Sequence, residues 1–86
     1  MNVRVPSNLA DYTNGARVVE ARGRTLGEAL EDLDRRFPGI RFRIVSEQDR
    51  IRRHIKIFVN QDQARDLGAP LAPDDEIMIV AALSGG

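Results

Sequence analysis

Only one stretch of this chain repeats its apolar residues at helical spacing. Leu26, Ala29, Leu30, Leu33 and Phe37 form a single stripe, and Glu31, Asp32, Asp34, Arg35 and Arg36 fall off it. Thr25-Leu26-Gly27-Glu28 opens the stretch with a capping box, in which the Thr25 hydroxyl can accept from the Glu28 amide and the Glu28 side chain can reach back. The acids come early and the arginines late, as the helix dipole favours. Pro38-Gly39 stops it. A lone amphipathic helix needs a surface on which to bury its stripe, so the flanking segments must supply a sheet.

Those segments alternate as strands do. Residues 2–6 put Val3 and Val5 on one face and end at Pro6. Ser7 to Gly15 is polar and turn-rich, and its Asn14-Gly15 is a tight-turn signal before a second strand over residues 16–22. Ile40 to Ser46 places Ile40, Phe42 and Ile44 between arginines and reads as an extended segment or another short strand. Glu47 to Arg53 is a charged loop. Ile55, Ile57 and Val59 alternate with Lys56, Phe58 and Asn60, the strongest strand pattern in the chain. Asn60-Gln61-Asp62 is a turn, and Gln63 to Asp75 reads as irregular, with Leu67 and Leu71 as core plugs. Glu76 to Ala82 is nearly continuous in apolar character, which suits a central strand slotted beside the first and covered on both faces, or on one face only until a partner binds.

The order hairpin, helix, strand, crossover, strand is an α+β arrangement. A chain of 86 residues has no room for a second domain. The expected division is one domain over 1–82 and a flexible tail over 83–86, long enough to project roughly 13 Å.

The chain has no cysteine, which excludes disulfides, thiolate metal sites and a cysteine nucleophile. A formal net charge of zero argues against a nucleic-acid partner bound by broad phosphate neutralisation. Arg41, Arg43, Arg50, Arg52, Arg53 and Lys56 still crowd the middle of the chain. This run reads as a solvated face, with a docking surface for an acidic partner as the alternative. No apolar run reaches membrane length and the N-terminus lacks a signal-peptide core, so the expected location is the cytoplasm, without membrane contact.

No nucleophile–base pair, phosphate loop or zinc spacing is present, so no catalytic and no metal-ligating residue is assigned. His54, the single histidine, reads as structural or solvated. Asp74, Asp75 and Glu76 read as a turn before the final strand rather than a metal cluster. By alternation, Ile57 and Val59 share a face with Ile77 and Ile79, whereas Phe58, Met78 and Val80 lie on the other. The helix can cover only one face. Phe58, Met78 and Val80 are therefore read as a partner-docking patch, the alternatives being scattered surface hydrophobes or a register slipped by one residue.

Several of these segments together resemble a known family, the β-grasp sulfur carriers. They are Val3-Arg4-Val5-Pro6, Thr25-Leu26-Gly27-Glu28-Ala29-Leu30, Phe37-Pro38-Gly39, Ile57-Phe58-Val59-Asn60, Pro70-Leu71 with Asp74-Asp75-Glu76-Ile77, and the terminal Gly85-Gly86. The family includes the small subunit of molybdopterin synthase, the thiamine-pathway carrier and the carrier of one route to cysteine. Asn8 to Gly15 is most similar to the cysteine-type carriers. Where many members have proline just after the last strand, this chain has Ala81 and Ala82, and the pathway stays open.

The resemblance implies a ubiquitin-like β-grasp fold, a mixed four- to five-stranded sheet packed on one main helix. It also implies that the protein is a covalent carrier rather than an enzyme. An adenylating, E1-like activating enzyme would use ATP to adenylate the Gly86 carboxylate. A sulfur donor would displace AMP to leave a thiocarboxylate, and a sulfur-accepting synthase would consume it. The carrier itself would bind no cofactor and be a monomer on its own. The physical case agrees. Ser84, Gly85 and Gly86 are small enough to thread a narrow active site in another protein. A thiocarboxylate also holds activated sulfur without a cysteine. Two alternatives remain: a ubiquitin-like modifier joined through Gly86 to lysines, and a β-grasp interaction module with an inert tail.

Overall fold

Thr25 caps the main helix with its hydroxyl. Thr25 Oγ1 accepts from the Glu28 amide at 3.2 Å, and the Glu28 carboxylate accepts from the amide of Arg24 at 2.9 Å, one residue before the cap itself. The helix, α1, spans Leu26–Arg36 and buries Leu26, Ala29, Leu30 and Leu33. Its first amides are met by the crossover over residues 65–75: Leu26 donates to the Ala69 carbonyl and Gly27 to that of Leu67, each at 2.9 Å. The crossover is thereby tied down although it forms no long element.

In this computed structural model, which describes residues 1–82, the remaining elements are short. β1 is Asn2–Arg4, β2 Val18–Glu20, α2 Ile40–Ile44, β3 Ile55–Val59, β4 Asp62–Ala64 and β5 Glu76–Ala81. They make a five-stranded sheet in the order β2-β1-β5-β3-β4. β1 and β5 run parallel, with Val3 opposite Ile77, and the other pairs are antiparallel. The sheet is mixed and β5 lies at its centre. The core is one cluster in which Val3, Ile57, Ile77 and Ile79 meet Leu26, Leu30 and Leu33 of α1. The mixed sheet on one main helix is the α+β architecture expected from the pattern.

Three segments differ from their sequence reading. Ile40 to Ile44 is a helical turn, not an extended segment. The spacing of Ile40, Phe42 and Ile44 fits period two, but Ile40 and Ile44 also stand four apart, and only they are buried; Phe42 is 54% exposed. Gly39 turns the chain with φ +96°, and Asp34 Oδ1 accepts the amides of Gly39 and Arg41 at 3.1 Å each, satisfying the start of the turn. Second, Asp62–Ala64 pairs with β3, whereas irregular chain was expected from Gln63 onward. The strand is polar except for Ala64, so its sequence has no apolar alternation to read. Third, Ser7–Thr13 is a 3₁₀ helix inside the expected loop. It buries Leu9, and the left-handed Asn14 and Gly15 follow it. The first two strands are also shorter than expected, although Val5 still donates to the Arg17 carbonyl and Ala21 to that of Met1 beyond their ends.

Two carboxylates clamp the frame. Asp32 on α1 accepts from the Arg22 amide at 2.9 Å and from Arg35 at 3.1 Å, and also pairs with Arg36. Partial burial pushes its pKa up, but the Arg36, Arg22 and Arg35 hydrogen bonds outweigh this and leave it below the usual carboxylate range. Asp75 accepts the Ala72 amide at 2.8 Å and the Asn60 side chain at 3.0 Å, and these hydrogen bonds lower its pKa. Asn60 in turn accepts the Glu76 amide at 3.0 Å, which locks the start of β5 to the end of β3.

Both carboxyl groups titrate lower in the folded chain than in the unfolded one. Their stabilisation is therefore complete above the unfolded carboxylate range near pH 4 and is lost as pH falls below it. Urea midpoints should drop on acidification, and the combined Asp32→Asn and Asp75→Asn variant should show a flatter acid limb. Gly23 gives a second expectation. A Cβ there would lie 2.6 Å from the backbone nitrogen of Ala29, inside any normal contact. Gly23→Ala should cost about 1–3 kcal/mol in urea unfolding, through displacement of the segment that follows β2 from the helix start.

Candidate functional site

The site is organised by where β5 ends. β1 pairs with β5 only as far as Met78, because Pro6 takes β1 away from the sheet. From Ile79 on, β5 is held by β3 alone: Ile55 lies opposite Ala81, and the Ala82 amide donates to the His54 carbonyl at 2.8 Å. The chain is thus anchored up to the last described residue, Ala82. Ser84, Gly85 and Gly86, the expected reactive tail, lie outside the described residues.

Strand alternation sorts β5 into two faces. Ile77 and Ile79 are buried beneath α1, while Met78 and Val80 are 40% and 41% exposed on the opposite face. The register puts Phe58 directly beside Met78, and Lys56 beside Val80. Phe58 is half-buried there. The structure thus brings Phe58, Met78 and Val80 together on the sheet face that carries no helix. Val18, 46% exposed, extends the same band through Arg4, which stands opposite both Val18 and Met78. The sequence reading missed Val18, although its place beside Val19 in a short strand signalled that one of the two must face outward.

Charge is unevenly spread along this face. Glu20, Asn2 and Glu76 lie side by side at the start of β5. Lys56 and His54 lie at its end, with Arg52 and Arg53 just before them in the chain. Phe42, Arg43, Arg52 and His54 line a shallow depression of about 190 Å³. Arg52 is fixed over the Phe42 ring at 4.7 Å from its centroid and donates through Nε to the Phe42 carbonyl at 2.8 Å. This stacked pair was also missed, because Phe42 was assigned to an alternating segment.

Pro73 and Asp74 form the turn into β5, Asp75 is spent on the hydrogen bonds described above, and Glu76, expected in the turn, is already the first residue of the strand. Among the described residues, no group of histidine and acidic side chains is arranged to hold a metal ion. No helix among them is long and apolar enough to cross a membrane. What the arrangement can do chemically is present the chain beyond Ala82 from a rigid strand, beside an apolar band and a cluster of cations.

The whole chain aligns with known proteins. It is 32% identical over 91 aligned residues to the sulfur carrier protein CysO of Mycobacterium tuberculosis, covering 100% of this chain and 98% of that protein. Its structure matches CysO in the Amycolatopsis orientalis BexX/CysO complex with a TM-score of 0.91 at 33% identity, over 99% of this chain and 98% of that one. It also matches SAMP1 of Haloferax volcanii with a TM-score of 0.79 at 29% identity, over 100% of this chain and 98% of that one. These neighbours carry the ubiquitin-like β-grasp fold seen here. The model of the ThiS family matches residues 3–86, a span that runs through the terminal Gly85-Gly86. With that coverage, the chain belongs to the ThiS family.

Proposed function

We propose that the protein is a sulfur carrier whose working atom is the carboxyl carbon of Gly86. The observation that supports this best is the family match over residues 3–86, in which the β-grasp body and the diglycine end occur together. The likeness to CysO along the full chain favours a role on a route to cysteine.

The chemistry follows from the electrophile. A free carboxylate resists attack because its charge is delocalised over both oxygens. In the first step a Gly86 carboxylate oxygen attacks the α-phosphorus of ATP on a partner activating enzyme. Pyrophosphate leaves, and an acyl adenylate remains. In the second step a hydrosulfide-level sulfur attacks the acyl carbon, and the C–O bond to AMP breaks. The product is the thiocarboxylate, and the thiol proton passes to solvent. A sulfur-accepting synthase then takes the sulfur, and hydrolysis returns Gly86 to the carboxylate. The carrier supplies no catalytic residue and needs no bound cofactor, and the use of ATP suits the cytosol. Gly85 and Gly86 have no side chain to obstruct a narrow active site, and Ser84 adds little bulk.

The band of Phe58, Met78 and Val80 is the surface that holds the carrier while its tail reacts. Exposed apolar side chains gathered on one face suit a partner interface. That the similar CysO of Amycolatopsis was solved with BexX supports a binding partner for this body. A second reading is favoured by the likeness to SAMP1, a small archaeal modifier protein: the same adenylate captured by a lysine amine would give an isopeptide on another protein.

Two measurements check these statements. In ATP–pyrophosphate exchange with the activating enzyme, deletion of Gly85 and Gly86 should abolish exchange while the thermal melt stays unchanged. Retained exchange would remove Gly86 as the activated group. The combined Met78→Glu and Val80→Glu variant should raise KM about tenfold with kcat little changed, because both side chains are exposed and the fold does not rest on them.

A further inference from the structure

The cations at the exit of β5 are built rather than scattered. Arg52 is held three ways: its amide donates to the Ile44 carbonyl at 3.0 Å, its Nε donates to the Phe42 carbonyl at 2.8 Å, and its guanidinium lies over the Phe42 ring. An arginine on a free surface loses rotamer freedom when it binds, whereas this one is already fixed. With Nε committed, its terminal NH₂ groups are left to face a ligand. Arg43 and His54 line the same depression. Among the described residues, no ion pair engages Arg43, Arg52 or Lys56, and in the adjoining loop Asp49 is taken by Arg41 at 3.1 Å.

We infer that this cleft takes a glutamate or aspartate side chain from an acidic segment of the activating enzyme that adenylates Gly86. The inference rests on the carrier reading, and it adds which chemistry selects and orients the partner. A carboxylate matches a guanidinium edge with paired hydrogen bonds. The cleft lies at the end where β5 leaves the sheet, because His54, one of its lining residues, accepts the Ala82 amide through its carbonyl at 2.8 Å, and Lys56 two residues on stands beside Val80. A partner lying over that band would bring its rim against the cleft, and an apolar centre with a charged rim is the layout of protein interfaces. A nucleic acid would need a continuous basic track, but the other end of the face carries Glu20 and Glu76 and the chain's net charge is zero. The two ends of the face therefore give the encounter a direction: an acidic segment is drawn to the end where the tail leaves and repelled from the other.

The test uses the full chain labelled with ¹⁵N and three probes: a hexaglutamate peptide, AMP and an oligouridylate. The peptide should give saturable shifts confined to Phe42, Arg43, Arg52 and His54. Arg43→Glu, at an exposed residue whose side chain makes no hydrogen bond among the described residues, should weaken it about tenfold with the circular dichroism melt unchanged. Shifts spread over the surface, or none that saturate, would overturn the cleft. Tighter binding of AMP or of the oligouridylate would overturn the choice of a protein carboxylate. With the activating enzyme, Arg43→Glu and Arg52→Glu should each raise KM and leave kcat alone, and raising the salt from about 50 to about 300 mM should raise the wild-type KM more than the variants'. An unchanged KM removes the cleft and leaves the carrier reading standing. Wild-type protein that binds the peptide but is never adenylated removes the carrier reading, and the assigned partner with it.

Discussion

The structure depends on β5 being buried from one side only. Ile77 and Ile79 pack under α1 with almost no exposure, and β1 and β3 flank the strand in the sheet. Full burial of one such side chain stabilises by roughly 1.5–3 kcal/mol, so this strand joins the N-terminal hairpin to the rest of the chain. The same strand leaves Met78 and Val80 in solvent and carries the chain on toward Gly86. On the carrier reading, fold and function would share one element. Its inward residues hold the body together, and its outward residues and its end would be left for other proteins.

The long periodic segments were legible because their patterns are unambiguous. The α1 stripe, its Thr25 cap and the alternation of Ile55, Ile57 and Val59 each admit one reading. The central place of β5 followed from a strand too apolar for an edge. What was not legible had too few residues to set a period. Ile40, Phe42 and Ile44 satisfy a strand and a helical turn equally, and the choice is made by Asp34, which reaches across from α1 to the amides of Gly39 and Arg41. β4 is specified by its partner: Ala64 sits opposite Ile57, and nothing in Asp62-Gln63-Ala64 itself signals pairing. The candidate site divides along the same line. Met78 and Val80 were readable from alternation, whereas the stack of Arg52 on Phe42 joins residues whose proximity no local pattern encodes.

A carrier of this kind has two opposed needs. Its body must be recognised by more than one protein, and its end must enter their active sites without obstruction. On the proposed reading, the helix-free face would answer the first need with the apolar band of Phe58, Met78 and Val80, and the charge gradient along that face would add orientation. Glycine at the terminus answers the second need. The absence of cysteine fits the same chemistry, since sulfur would be held on the main-chain carboxyl group instead of a thiol.

The most direct measurement is the intact mass of the full chain after incubation with ATP, the activating enzyme and a sulfide source, followed by fragmentation of its C-terminal peptide. The account expects a species heavier by the difference between one sulfur and one oxygen, with that change confined to Gly86. A chain that turns over ATP yet keeps only oxygen at Gly86, or that carries the added sulfur elsewhere, would contradict it.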